Sequence, residues 1–234
     1  MGEVADRYAN VRERAELAYR RVRGSSDGLR IVCVTKMQPL PRILEVIEAG
    51  ATDIGENYLQ EAAGKGIFEL RQSHELTIRY IGRLQSNKYN AILRDFDAVD
   101  SADPKLLERV HAAGSTGIFR ARTFLLEVNA GGEPQKAGLT IAQVRDLALA
   151  HNPALDEISG LMAVVPLEAT EEMRAGMYDA VSLLFQDLEK ELGPSQMRTL
   201  SMGTSDDFEL AILHGSNMIR VGTAIFGPRT SAPS

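Results

Sequence analysis

The chain has 234 residues, 44% hydrophobic and 25% charged, enough for one large domain or two small ones around a sizeable core. A net charge of −6 argues against a broad nucleic-acid surface, and no apolar run is long enough to span a membrane. The single cysteine, Cys33, excludes an internal disulfide and fits a reducing compartment. The first residues, MGEVADRYANVRERAELAYRRVRG, alternate acids and bases at helical spacing and lack the apolar core of a signal peptide. Met1-Gly2 lacks the later Ser/Thr of a myristoylation signal. The expectation is a cytoplasmic protein that opens on an extra helix.

Short apolar runs then alternate with helical patterns. The runs are IVCVTK (31–36), TDIGEN (52–57), TIRYIG (77–82), FDAVDS (96–101), TFLLEVN (123–129), ISGLMAV (158–164), RTLSMG (198–203) and MIRVG (218–222). Between them PRILEVIEAG ends at Gly50, and DPKLLERVHAAG opens with Asp103 as cap and Pro104 in the first turn. TIAQVRDLALAH and EATEEMRAGMYDAVSLLFQDLEKELG carry apolar residues at helical spacing, and SDDFELAILHG begins at Ser205, read as its cap. About eight strand–helix units predict parallel strands with right-handed crossovers, hence a single (β/α)₈ barrel over residues 1–227. Residues 228–234 read as a disordered tail. A doubly wound open sheet is the alternative, weakened because no GxGxxG follows the first strand.

Strand side chains alternate, so Lys36 shares a face with Val32 and Val34. If that face is the interior, Cys33 and Thr35 face the helices and Lys36 enters the C-terminal mouth, where barrel enzymes place their chemistry. An ammonium buried there loses basicity and becomes a nucleophile for aldehydes; a lysine reaching solvent or an acid is the plainer reading. Ser201 and Gly203 follow the seventh strand, and Gly222 and Thr223 the eighth, where many barrels hold a phosphate. A helix cap at Ser205 and a simple turn at Gly222 remain open. Arg220 shares the face of Gly222. It can meet an unprotonated pyridine nitrogen, or pair with Glu127 or Asp53, whose parity suits. Lysine, phosphate cradle and arginine together point to an aldehyde-bearing phosphorylated pyridine, pyridoxal 5′-phosphate.

The sequence closely resembles the YggS/PROSC family of pyridoxal phosphate homeostasis proteins. The resemblance lies in VCVTKMQP (32–39), DIGENYLQEAAGK (53–65), YIGRLQSNK (80–88), VDS (99–101), LEVNAGGEPQKAG (126–138), GLMAV (160–164) and LSMGTSDDFELAILHGSNMIRVGTAIFG (200–227). It implies the fold-type III barrel, as in alanine racemase, without a second β-domain. It implies that Lys36 forms the internal aldimine, and that Ser201, Gly222 and Thr223 surround the phosphate. It further implies that Arg220 faces the pyridine nitrogen and that Asn57 and Met162 line the cofactor. Tyr80 and Thr204 depart from many relatives, and Tyr80, sharing a face with Gly82, is expected to alter the polarity of the mouth.

LQSNK (84–88) reads either as a charged clamp or, preferred, as a cap in which Ser86 starts the next helix; QKAG (135–138) is left unassigned. The function expected is a carrier that stores, buffers or delivers pyridoxal phosphate to apo-enzymes, working as a monomer with no metal, membrane or nucleic acid. A racemase with weak activity is the alternative. Arg220 would keep the ring nitrogen unprotonated and the electron sink weak, and no tyrosine is well placed as a second base. Tyr58 and Tyr80 are the ones near predicted strand ends, and Tyr58 has the wrong parity to accompany Asn57 inward. An interaction module would leave the inward lysine unexplained.

Overall fold

The computed structural model describes residues 2–114, 119–133, 135, 137–166 and 168–228. Helix α1 (Glu3–Arg23) precedes the first strand, β1 (Arg30–Val34), and α2 (Leu40–Glu48) follows it. Then come β2 (Asp53–Glu56), α3 (Leu59–Gly64), β3 (Thr77–Tyr80), α4 (Tyr89–Asp95), β4 (Ala98–Ala102) and α5 (Pro104–Ala113). The second half contains β5 (Thr123–Val128), α6 (Ile141–Leu149), β6 (Gly160–Ala163) and α7 (Glu171–Leu192). It ends with β7 (Thr199–Ser201), α8 (Phe208–Leu213), β8 (Met218–Val221) and α9 (Thr223–Phe226).

All eight strands are parallel, each pairs with its sequence neighbour, and β8 closes onto β1. The barrel expected from the alternating pattern is therefore the fold, and the open sheet is excluded. The expected tail lies outside the described residues from position 229 on. Among the described residues no helix is long and apolar enough to cross a membrane.

Alternation sorts the strand residues into two cores. Cys33, Ile54, Ile78, Val99, Phe124, Leu126, Leu161 and Val221 join the layer between strands and helices. Val32, Leu125, Met162 and Met218 form a separate apolar group inside the barrel. Close approach fixes some positions as glycine. At Gly160, with φ 151°, an added Cβ would lie 1.8 Å from the Thr199 carbonyl oxygen, so β6 and β7 pair this closely only without a side chain.

Helix α1 buries Tyr8, Val11, Ala15, Ala18 and Tyr19, a spacing of three and four that forms one face. That face packs against α2, α8 and α9. Gly2 at its start has no side chain to cap it. Glu45 of α2 does so instead, its Oε1 accepting the amides of Val4 at 3.0 Å and Ala5 at 3.2 Å.

The barrel interior also holds a fully buried arginine that sequence reading did not single out. Arg79 on β3 forks onto Asp100 of β4, Nε to Oδ2 at 2.8 Å and Nη2 to Oδ1 at 2.9 Å, and its Nη1 reaches Asp53 Oδ1 on β2 at 3.0 Å. Burial works against its charge, but the two carboxylates outweigh it and hold the guanidinium above the usual arginine range. Arg79→Ala would strand both acids in the interior. We expect a loss of about 3–5 kcal/mol of unfolding free energy, measured by urea denaturation with an unchanged m-value.

Candidate functional site

Strand β1 stops at Val34, two residues short of the lysine, so Lys36 lies in the turn beyond the strand rather than at its last position. Thr35 is fully buried and Lys36 half-buried. Met37 has φ 60°, the left-handed region, which costs a non-glycine residue roughly 1–2 kcal/mol. The chain thus makes a strained turn directly after the lysine. Cys33 pairs with Val221 across the barrel seam, so the start of that turn lies beside Gly222, where an added Cβ would stand 3.5 Å from Val34 Cβ.

Arg220 points inward from β8 and is only 6% exposed. Its Nη1 donates to Ser201 Oγ at 2.5 Å and to the Ser201 carbonyl at 3.0 Å, and its Nη2 to the Ala163 carbonyl at 2.9 Å. Neither expected ion pair forms. Asp53 is taken by Arg79, Glu127 is not among the partners of Arg220, and no other acid pairs with it among the described residues. Burial pulls the guanidinium below its usual range, opposed by the more distant fields of Asp100, Tyr178, Glu127 and Asp207. Ser201 is fully buried at this guanidinium, with Met162 paired to it on the next strand and also interior.

Glu127 faces the interior one strand further and lines a cavity of about 320 Å³ with Arg83, Ser101, Asp103 and Gly138. Burial lifts its carboxyl to about 7, with Arg220 opposing, Asp103 adding and Arg83 opposing. Asn57, just past β2, keeps a buried Oδ1 without a hydrogen-bond partner. Gly82 packs against its backbone so closely that a Cβ there would lie 2.0 Å from the Asn57 carbonyl oxygen.

At the ends of β7 and β8 the structure corrects one reading and adds a residue. Ser205 does not cap the helix that follows it; Asp207 stands at that position and makes no side-chain cap. The Ser205 hydroxyl instead accepts the amides of Gly222 at 3.1 Å and Ala224 at 3.2 Å, at the start of α9. Thr223 is exposed between them. A hydroxyl oxygen thus occupies amides that can equally serve an anion. The signal was a serine in the expected phosphate loop, but its partners lie 17 and 19 residues away, beyond any local pattern.

Two further expectations change. Tyr80 faces away from the interior, lying edge-on to Phe96 at 5.2 Å with its hydroxyl donating to the Arg83 carbonyl at 2.9 Å, so it does not set the polarity of the mouth. Ser86 is no cap: it lies in a short 3₁₀ turn, Ser86–Lys88, and the helix α4 after it has no side-chain cap. Thr204 donates its amide and hydroxyl to Asp207 Oδ1 at 2.7 and 3.0 Å, which makes it a loop brace. Of QKAG, Lys136 lies outside the described residues.

The donor set suits a phosphorylated aromatic aldehyde. An amine lies at the mouth beside a glycine turn, a buried cation lacks a carboxylate, and an amide oxygen is buried without a donor. Among the described residues no His/Cys/Asp/Glu group could hold a metal ion. Comparison with known proteins agrees. The family described as the alanine racemase N-terminal domain matches residues 9–230. The pyridoxal phosphate homeostasis protein of Escherichia coli strain K12 is 32% identical over 236 residues, covering 98% of each chain. The chain belongs to this family.

Solved structures bear on the same point. PipY of Synechococcus elongatus PCC7942, without PLP, is 31% identical with a TM-score of 0.81, covering 96% of this chain and 100% of that one. The same protein with PLP bound is 30% identical with a TM-score of 0.76 and the same coverage. Alanine racemase of Bacillus anthracis, at 16% identity and a TM-score of 0.65, shares the fold over 97% of this chain and 57% of its own.

Glu127 yields a pH prediction. Its folded pKa lies above the ordinary glutamate value of 4.5, so between about 4.5 and about 7 the folded state holds a proton that the unfolded state has lost. Its contribution to stability is therefore complete at low pH and declines as pH rises through that window, by at most ~1.4 kcal/mol per pH unit. Denaturation of wild type and Glu127→Gln across pH 4 to 8 should show this slope only in the wild type.

Proposed function

We propose that this protein binds pyridoxal 5′-phosphate through Lys36 and serves its homeostasis by storing, buffering or delivering it. The observation that carries this is the pairing of β1 with β8, which brings the Lys36 turn beside Gly222 and sets an inward Arg220 on the adjoining strand, with no carboxylate of its own. When bound, pyridoxal phosphate supplies an aldehyde open to an amine and a ring that accepts electrons.

The residues divide the work by their chemistry. Lys36 would hold the aldehyde covalently and reversibly. Arg220, a permanent cation on neutral acceptors, would oppose a proton on the ring nitrogen and so weaken the ring as an electron sink. Ser201, whose oxygen accepts from Arg220, keeps its own O–H to donate toward the phosphate. Gly222 and Thr223 would add backbone and hydroxyl donors, with Ser205 tying the Gly222 loop. Asn57 and Met162 would line the ring. On this reading the protein works as a monomer in the cytoplasm, meets apo-enzymes there, and turns over no common amino acid at an enzyme-like rate.

A racemase reading draws on one observation, the inward Glu127 with a carboxyl lifted to about 7, a value suited to proton transfer. Two measurements separate the readings. After borohydride reduction, mass spectrometry should find the pyridoxyl group on Lys36, and Lys36→Ala should lose both it and the yellow colour; a label on another lysine would overturn the assignment. Loaded protein mixed with an apo-enzyme and a scavenger of free cofactor should restore enzyme activity despite the scavenger. Racemisation of alanine at roughly 1–10³ per second, lost in Lys36→Ala, would establish the enzyme instead.

A further inference from the structure

Besides Asp53, which Arg79 takes, the segment DIGENYLQEAAGK carries three charged residues that the cofactor site does not use: Glu56, Glu61 and Lys65. Glu56 is the last residue of β2 and fully buried, and it points away from the barrel interior. Glu61 lies in α3 and Lys65 at its end. An ammonium has three N–H donors. Lys65 Nζ gives one to the Thr35 carbonyl at 2.8 Å, one to Glu56 Oε1 at 3.0 Å, and meets Glu61 Oε1 with the third.

Both carboxylates reach the residues on either side of Lys36. Glu56 Oε1 also accepts the Thr35 hydroxyl at 2.8 Å. Glu61 Oε1 also accepts the Met37 amide at 2.5 Å. The residue before Lys36 is thus gripped by its carbonyl and its hydroxyl, and the residue after it by its amide. Met37 is the residue held in the left-handed region, a conformation that needs outside support to persist. Lys65 joins the two carboxylates into one clamp and places its charge where Glu56 would otherwise be buried alone.

We propose that Lys65, acting with Glu56 and Glu61, is a positioning residue that fixes the Lys36 turn and thereby sets how firmly the protein retains pyridoxal phosphate. This rests on Lys36 as the attachment point. Lys65 would touch neither the cofactor nor the reacting atoms. Its effect would pass through the Thr35 carbonyl and the Met37 amide into the aim of the Lys36 amine, and misplacement of a reacting group by a distant change can cost on the order of 10²-fold.

The test loads wild type, Lys65→Met, Lys65→Arg and Lys65→Met/Glu56→Gln with pyridoxal phosphate. It follows the visible absorption of the bound cofactor and the rate of its loss to a scavenger, with thermal unfolding alongside. Lys65→Met should release cofactor about tenfold faster or more and show a shifted visible band while still unfolding cooperatively. Lys65→Arg, which keeps donors to the same oxygens, should recover much of the retention. The double variant removes the lone buried carboxylate but not the loose Thr35 carbonyl, so it should stay fast. Should Lys65→Met fail to fold, Glu61→Ala frees the same turn at the Met37 amide and should also release faster with a shifted band. A folded variant with wild-type band and release within about twofold, or full rescue by the double variant, would overturn the proposal while leaving Lys36 standing. Absence of a pyridoxyl group on Lys36 in the wild type would instead remove the attachment reading, and this one with it.

Discussion

Much of the barrel interior depends on how two buried arginines are compensated. Arg79 is held by two carboxylates, Asp53 and Asp100, and stitches β2, β3 and β4 from inside. Such a pair is costly to bury and worse to break, so it contributes little net stability but strongly penalises a misaligned register. Because Arg79 takes Asp53, Arg220 is left with a hydroxyl and two carbonyls. One arginine is thereby structural and the other retains an unspent field at the mouth. Had Asp53 paired with Arg220, the second cation would be neutralised and the cofactor reading would lose its chief electrostatic support.

That unspent field has consequences for chemistry. A ring nitrogen facing a permanent cation resists protonation, and an unprotonated ring stabilises a carbanion poorly. Glu127 feels the same cation, yet burial wins and its carboxyl stays high. On the proposed reading the interior would hold a phosphorylated aldehyde while activating it weakly, which would suit custody of the cofactor better than turnover.

The sequence made the periodic features legible. Eight apolar runs correspond to eight strands, and the inward faces of Val32, Met162, Ser201 and Arg220 follow from side-chain alternation once one strand is oriented. Pro104 and Asp103 opened α5 as expected, because a cap is a local interaction between Asp103 and Leu106. What local pattern could not supply were partners distant in the chain. Ser205 looked like a cap for its own helix and serves another. Arg79, Asp53 and Asp100 lie on three different strands, and only the closed barrel shows that they meet. Tyr80 was misjudged because its parity with Gly82 was carried past the strand end, where a turn resets the direction of the side chains.

The seam between β8 and β1 joins residues nearly the whole chain apart, and it is also where the turn that carries Lys36 begins beside Gly222. Helix α1 lies across the outside of this joint, touching α2 on one side and α8 and α9 on the other. On the proposed reading, a cofactor held by the first strand and the last would act as an inner rivet to that outer strap. Closing so long a loop is entropically the most demanding step in assembling the ring. Occupancy and ring integrity would then become one thermodynamic quantity, each holder of the cofactor being also a fastener of the fold.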